Sequence, residues 1–521
     1  MIKGLNVTKR KNVSHVGKQG MSVRCPTKGN SGRTQAQEEP KNKKAKTSAE
    51  LVTDLIGKKL DESIELCNAW GKVRDQEALI FFDNGAKANC LSELSFDPRP
   101  DIRKSALDIL FDTLRFHGHL FSLGLWERVF DSVLFPIFDS VRRAMDPPVD
   151  RRELEGADFE QTEVEVDAWL YETCTLALQL VVDLFVKFYG VVNPLVGKIL
   201  HLLTGFIKRS HQSLAAIGVA AFVRLISNAG GLFSDEKWLE VLSALKEAAI
   251  ETLPDVKKVV ESAEIQAARA MQQHGLKTSY AERNDSMENF RNRLHYIVSD
   301  IKSRVAVQLL LVQAANEIYN MHGCRLIASH TMLLLDMLHD MAVHSHKVNG
   351  NFQLRSKLQK LQSVTQFTDP PLLRLESESY QVYLTLLQRL PLDKPDLAKD
   401  VEVESRLVEL CEEVLQVYIN TATAGPYHSL QTEQPSGDHW KIPIGSSRRR
   451  ELASRGPLVV ATLQAISGLK YFCVDETLKQ FFPLLASLIS CEHGSGDVLV
   501  ALSDMFSTWI GPIVLQQHVE L

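Results

Sequence analysis

The chain has 521 residues, of which 45% are hydrophobic, so it is long enough to bury one large core or several smaller ones. Its formal net charge of −5 is unevenly spread: residues 1–48 hold 12 Lys and Arg against 2 Asp and Glu, which leaves −15 on the rest. That balance excludes a protein whose whole surface binds nucleic acid.

The cysteines and the N-terminus indicate the compartment. The eight cysteines are widely spaced and none pairs as C-x-x-C, which is typical of thiols in a reducing environment. The N-terminus lacks the apolar stretch of a signal peptide, and no uninterrupted apolar run reaches about 18 residues. We therefore expect a soluble, cytosolic protein, with peripheral membrane attachment still open.

Residues 1–48 form a basic tail that is nearly free of large apolar side chains. Such a segment cannot bury enough surface to offset the entropy of ordering, so we predict that it is disordered. The lysine-rich stretch 41–46 is either a solvated tail or a nuclear import signal.

A repeated phrase dominates the first predicted helical block, residues 51–253. Gly118, Phe121 and Trp126 recur at a constant offset as Gly230, Phe233 and Trp238, and apolar helical patterns flank each copy. A recurring helix–glycine turn–helix unit is typical of a stacked α-solenoid, in which no unit buries its face alone. We expect both tryptophans to lie in the core between helices; the alternative is that they stack on a ligand.

Strand-like alternation is scarce elsewhere, so we predict an all-α fold of stacked HEAT- or armadillo-like helix pairs. The remaining predicted segments, in chain order, are an acidic surface loop at 146–167, a linker or frayed helix at 254–290, a second helical block at 291–423, a polar loop at 424–457 that includes Arg448, Arg449 and Arg450, and a helical cluster at 458–516.

Signatures of catalysis are missing from the sequence. It contains no phosphate-binding P-loop, no H-E-x-x-H zinc motif, no G-x-S-x-G nucleophile elbow and no close cysteine pair. We interpret His339, His344 and His346 as surface or partly packed side chains, His117 and His119 as caps of the preceding helix, and 493–497 as a flexible turn. We therefore expect no catalytic residue, no metal, no cofactor and no small-molecule substrate.

Several segments resemble a known family. Asp101 and Arg103, followed by Ala106, resemble the Asp…Val-Arg…Ala pattern of HEAT repeats. The longer segments 118–143, 168–188, 207–214 (IKRSHQSL), 369–376 (DPPLLRLE) and 447–453 (SRRRELA) are similar to the C-terminal region of the large brefeldin A-inhibited guanine-nucleotide exchange proteins, most of all the plant members. The resemblance covers roughly 91–521 and does not clearly cover 1–90.

The resemblance implies a role with ARF-class small GTPases at the trans-Golgi network and endosomes. In this family a separate Sec-seven domain performs exchange through a motif reading F-R-L-P-G-E-A-Q-K-I, and the present sequence has no such stretch. The resemblance therefore implies the downstream regulatory repeats, which the family links to peripheral membrane recruitment, autoregulation and self-association. We accordingly expect a non-catalytic chain, either a truncated gene product or a partial gene model, that can form homodimers.

Two other functions stay open. An import-type or nucleic-acid-linked adaptor would use the basic tail, although the net negative charge of the remainder disfavours nucleic acid as a partner. An enzyme with a site assembled from distant residues is the third hypothesis. The acidic loop and Arg448–Arg450 are either electrostatic contacts with a partner or plain solvated loops.

Overall fold

A computed structural model describes most of the chain downstream of residue 90. The described ranges are 91–138 apart from 93, 96 and 98, then 159–273, 280–423, 446–468 and 474–512. The predicted disordered tail, the first part of the acidic loop (146–158) and the first part of the polar loop (424–445) lie outside these ranges.

The described residues form an all-α fold, and no strand occurs within them. The described α-helices of more than four residues are α1 Pro100–His117, α2 Leu123–Val129, α3 Phe159–Lys187, α4 Val196–Ile207, α5 Gln212–Ala229, α6 Asp235–Glu251, α7 Lys257–Gln273, α8 Tyr280–His322, α9 Ala328–Gly350, α10 Phe352–Lys360, α11 Leu373–Asp393, α12 Pro395–Asp400, α13 Val403–Thr423, α14 Ser446–Gly468, α15 Val474–Ser490 and α16 Asp497–Met505.

The described helices pack in two layers. Helices α1, α3, α5, α8 and α11 each pack against the next to make one layer, and α4, α6 and α9 do the same in the second layer. One cluster of buried apolar side chains follows both layers from Leu91 to Ile510. This continuity is what a solenoid requires, because each pair covers the apolar face of its neighbour.

Two helical stretches, 189–207 and 212–232, are long and apolar enough to cross a membrane. More than half of each stretch is buried against other helices of the protein. We interpret them as the central helices of the core, which meet the same length and hydropathy criteria.

Two stretches predicted as loops, and one predicted as a linker or a frayed helix, are helical. Residues 159–167, the second part of the predicted acidic loop, begin α3, and acidic residues are favourable in the first turns of a helix because of its macrodipole. Of the two alternatives for 254–290, the helix is the one observed, since the segment contains α7 and the start of α8. There Val256, Val259 and Val260 are buried at helical spacing between exposed charged residues.

The predicted polar loop 424–457 is wrong over its last part, because 446–457 belong to α14. Two of the charged side chains that suggested a loop, Glu451 and Arg455, are buried in this helix. They pair with each other and with charges on other helices, so a helix that looks polar in sequence is nonetheless part of the core.

Candidate functional site

The first copy of the repeated phrase forms a tight corner between α1 and α2. Gly118 begins a 3-10 turn, and the fully buried Trp126 of α2 lies directly over it. A Cβ atom on Gly118 would stand 2.5 Å from Cζ2 of Trp126, so only glycine fits. The Phe121 ring lies 5.2 Å from the indole, and the Ser122 side chain accepts a hydrogen bond from the Leu125 amide at the start of α2.

The second copy reproduces this geometry between α5 and α6. Gly230 begins a 3-10 turn, and its Cβ would stand 3.0 Å from Cζ2 of the buried Trp238. Phe233 lies 5.4 Å from that indole, and Ser234 accepts from the Lys237 amide. The predicted repeat residues therefore occupy equivalent positions, and both tryptophans lie in the core.

Each corner is covered by the helix pair that follows it. The ring of Phe188, at the end of α3, lies 5.0 Å from Trp126. The rings of His322 and His330, at the ends of α8 and α9, lie 5.3 and 6.4 Å from Trp238. The tryptophan of one unit thus packs directly against aromatic side chains of the next unit.

Basic side chains join successive corners by a recurring hydrogen bond. Lys187 donates to the carbonyl of Arg115 at 2.9 Å, Arg325 donates to that of Gly231 at 2.7 Å, and Lys394 donates to that of Leu326 at 2.9 Å. Carbonyls at or just beyond a helix C-terminus lack intrahelical partners and carry partial negative charge. A cation from the next unit satisfies them.

Asp101 and Arg103, the HEAT-like pair, have different surroundings. Arg103 is buried, and it donates to the carbonyl of Asp97 at 2.9 Å and to the hydroxyl of Thr173 on α3 at 3.2 Å. Burial lowers the pKa of its guanidinium despite the nearby acidic groups. Asp101 is exposed in the first turn of α1. Arg103 therefore helps to join α1 to α3, whereas Asp101 faces solvent.

A network of buried charges joins α9, α10, α11 and α14. Its centre is Glu376, 2% exposed, whose carboxylate accepts from Arg455 at 2.7 Å and from Asn349 at 2.6 Å. His346 Nδ1 lies 3.1 Å from the same carboxylate. Burial alone would raise the pKa of Glu376, but hydrogen bonds from His346, Arg455 and Asn349 and the charge of Arg455 lower it to about 2. Glu376 is therefore ionised in the core at neutral pH.

The network continues toward the surface through alternating charges. Arg455 also pairs with Glu451 at 3.2 Å, Glu451 pairs with Arg355 at 3.0 Å, and Arg355 pairs with Asp369 at 2.6 Å. Every buried charge in this series has an opposite partner, which a buried ion network needs in order not to destabilise the fold. Sequence reasoning missed it, since its members come from four separate segments.

A cavity of about 970 Å³ opens beside the outer end of the network. Asp369 and Glu451 contribute to its wall, together with the exposed Arg374 and Arg450. The three predicted contact arginines therefore differ in their exposure to solvent. Arg449 and Arg450 are exposed, whereas Arg448 is partly buried and donates to the carbonyl of Thr421 at the end of α13.

Three further histidines singled out in the sequence have structural partners. The His339 ring lies 5.4 Å from that of Tyr383, His344 Nε2 lies 3.0 Å from the Pro254 carbonyl, and His493 stacks on Tyr418. In the part of the chain that the structure describes, no three His, Cys, Asp or Glu side chains are grouped to hold a metal ion.

Comparisons with known proteins identify the family. A model of the BIG2 C-terminal domain matches residues 306–507, and a model of the C-terminal region of Mon2 protein matches 86–158. Brefeldin A-inhibited guanine nucleotide-exchange protein 2 of Arabidopsis thaliana is 54% identical over 442 residues, which is 82% of this chain and 24% of the relative. Most of the chain is homologous to the C-terminal part of the brefeldin A-inhibited guanine nucleotide-exchange proteins.

Other relatives agree. Brefeldin A-inhibited guanine nucleotide-exchange protein 3 of the same plant is 45% identical over 89% of this chain and 26% of its own length. The ADP-ribosylation factor guanine nucleotide-exchange factor sec71 of Schizosaccharomyces pombe is 23% identical over 78% of this chain and 21% of its own length. The chain thus spans about a quarter of the length of these relatives. No solved structure matches it.

The ion network lies where two of the family-like segments meet. Asp369 and Glu376 open and close the segment DPPLLRLE, and Glu451 belongs to SRRRELA. The two segments that resemble the exchange proteins therefore contain charged residues that pair with one another in the fold. This resemblance was the one sequence feature that connected these residues.

Removing one member of the network tests its contribution to stability. Arg455→Met leaves Glu376 and Glu451 without their shared cation in the core, so we expect a loss of about 3–5 kcal/mol in the free energy of unfolding. The matched control, Arg374→Met, breaks an exposed pair with Glu378 and should cost less than about 1 kcal/mol. Urea denaturation measures both, and equal losses would contradict the assignment.

Two glycines of one corner provide a second test. Gly118→Ala places a methyl group against Trp126 and Phe188, so we expect it to destabilise the protein by about 1–3 kcal/mol. Gly124→Ala, six residues later in α2, meets no atom within 4 Å and should be neutral or stabilising by up to about 1 kcal/mol. Thermal unfolding followed by circular dichroism compares them; a neutral Gly118→Ala would show that the corner is not closely packed.

Proposed function

We propose that this chain is a non-catalytic regulatory and scaffolding region of an ARF guanine-nucleotide exchange factor that acts in vesicle trafficking. Its place of action is the cytoplasmic face of the trans-Golgi network and endosomes, where it associates peripherally with the membrane. The observation that carries the proposal is the 54% identity to an exchange protein over 442 residues that make up only 24% of that relative.

The geometry supports a role in contact rather than in bond-making. The described helices form two continuous layers held by apolar corners and a buried ion network, and this arrangement presents broad helical faces to a partner. His339, His344 and His346, the histidine cluster that sequence analysis considered for chemistry, are engaged in packing or in hydrogen bonds to the protein itself. The partners we propose are an ARF-class or regulatory small GTPase and a second copy of the chain.

The arginines beside the cavity are the candidate contacts for an acidic partner segment. Arg450 is exposed at the cavity wall, and Arg449 is exposed next to it. Exposed arginines on a rigid helix are suited to binding carboxylates in a geometry that a flexible loop would not hold.

An exchange assay tests the proposal. The purified 521-residue chain should not accelerate the release of a fluorescent guanine nucleotide from an ARF-class GTPase. The isolated exchange domain of a relative serves as the positive control in the same assay. Stimulation by the chain alone, in proportion to its concentration, would show that it is itself an exchange factor and would overturn the proposal.

A further inference from the structure

The corners of successive helix pairs adjoin one another and form one edge of the helical array. We call this surface, made by residues 115–126, 187–195, 229–238, 319–330 and 389–397, the corner edge. Its continuity follows from the bonds that Lys187, Arg325 and Lys394 make to the preceding corners and from the Tyr189–Phe233 ring contact. Any ligand that extends along this edge meets several corners at once.

Large apolar side chains are exposed at every corner. The first corner exposes Phe116 by 69% and Leu120 by 61%, and the last exposes Leu392 by 83%. Those between them expose Val191, Leu232 and Ile327. Isolated surface leucines are ordinary, but one or more exposed apolar tips at each successive corner make an extended apolar row.

The two copies of the repeat show that folding does not require the apolar side chains of the first corner. The buried framework of glycine, phenylalanine and tryptophan is the same in both. At exposed positions, however, Phe116 corresponds to Asn228, and Leu123, the first residue of α2, corresponds to Asp235, the first residue of α6. Because the same turn forms with polar residues there, the turn itself does not require Phe116 and Leu123 to be apolar.

Basic groups surround the apolar tips of the first corner. A cavity of about 510 Å³ between the first and second corners is lined by Arg115, His119 and Lys187 and by the rings of Phe116 and Phe188. The one carboxylate in its wall, Asp112, is paired with Arg115 at 3.2 Å. The cavity therefore has two permanent cations against one anion and complements a negatively charged group.

From this surface we infer that the corner edge binds the surface of an anionic phospholipid bilayer, with the first corner inserted most deeply. The inference rests on the proposed membrane-peripheral function and names its contact surface. Apolar and aromatic tips flanked by cations are the composition that enters the interface between headgroups and acyl chains. A row of tips that continues along several corners matches a continuous apolar medium better than one discrete protein partner. The corner at 229–238, which carries Asp235 and Glu236, lies less deep.

Vesicle flotation with the full chain tests the inference. Wild-type protein should bind vesicles of phosphatidylcholine with about 30 mol% phosphatidylserine, and the binding should weaken with salt. The double variant Phe116→Asn, Leu123→Asp installs the residues that the second copy of the repeat has at these positions, and we expect its partition coefficient to fall at least about tenfold. Leu120→Ser removes a different tip and should also weaken binding.

A matched control separates the corner edge from exposed apolar surface in general. Ile250 is 45% exposed near the C-terminal end of α6, at the other end of that helix from its corner, so Ile250→Asn should leave binding within about twofold of wild type. Circular dichroism melting checks that the variants remain folded. The inference is overturned if the wild type does not float with anionic vesicles, if the corner variants float as well as wild type, or if Ile250→Asn lowers binding as much as they do. The nucleotide-exchange assay of the proposed function contains no lipid. Its result is therefore independent of vesicle binding, and either proposal can be refuted without the other.

Discussion

The packing of a tryptophan side chain onto the backbone of a glycine corner is the contact on which the helical array depends. At the first copy the indole lies so close to the glycine that a methyl group would not fit, and at the second copy the same space is closed by the His322 ring together with the indole. The other side of each indole meets Phe188 or His322 from the following helix pair. One side chain therefore closes the turn within a unit and joins that unit to the next, which is why the corners adjoin along one edge.

The junction of α11 with α14 is stabilised differently. Here the core contains Glu376, Arg455 and Glu451 instead of aromatic rings. Ion pairs of this kind gain little over apolar packing, but they heavily penalise any arrangement that separates the partners. The network therefore fixes how α14 packs against α11, while the corners provide apolar packing. The cavity with Arg450 in its wall lies beside this junction.

The fold class and the corners could be predicted from the sequence, because glycine, phenylalanine and tryptophan recur at a constant offset between apolar helical patterns. The helices at 159–167 and 446–457 were missed, since acidic and basic residues there suggest solvent exposure unless their partners are known. Glu376 and Arg455 are 79 positions apart, and no periodicity relates them. The ion network could therefore not be predicted from the pattern of neighbouring residues. The exposed apolar side chains of the corner edge could be identified only once the burial of each residue was known.

Hydrogen–deuterium exchange of the full chain carrying Trp238→Ala tests the stacking most directly, because the array is held by contacts between neighbouring units. Loss of this side chain should accelerate amide exchange in α5 and α6 and also in the facing ends of α8 and α9, which contact the indole, while α14 and α16 stay close to wild type. Acceleration confined to α6, or no acceleration anywhere, would contradict the account.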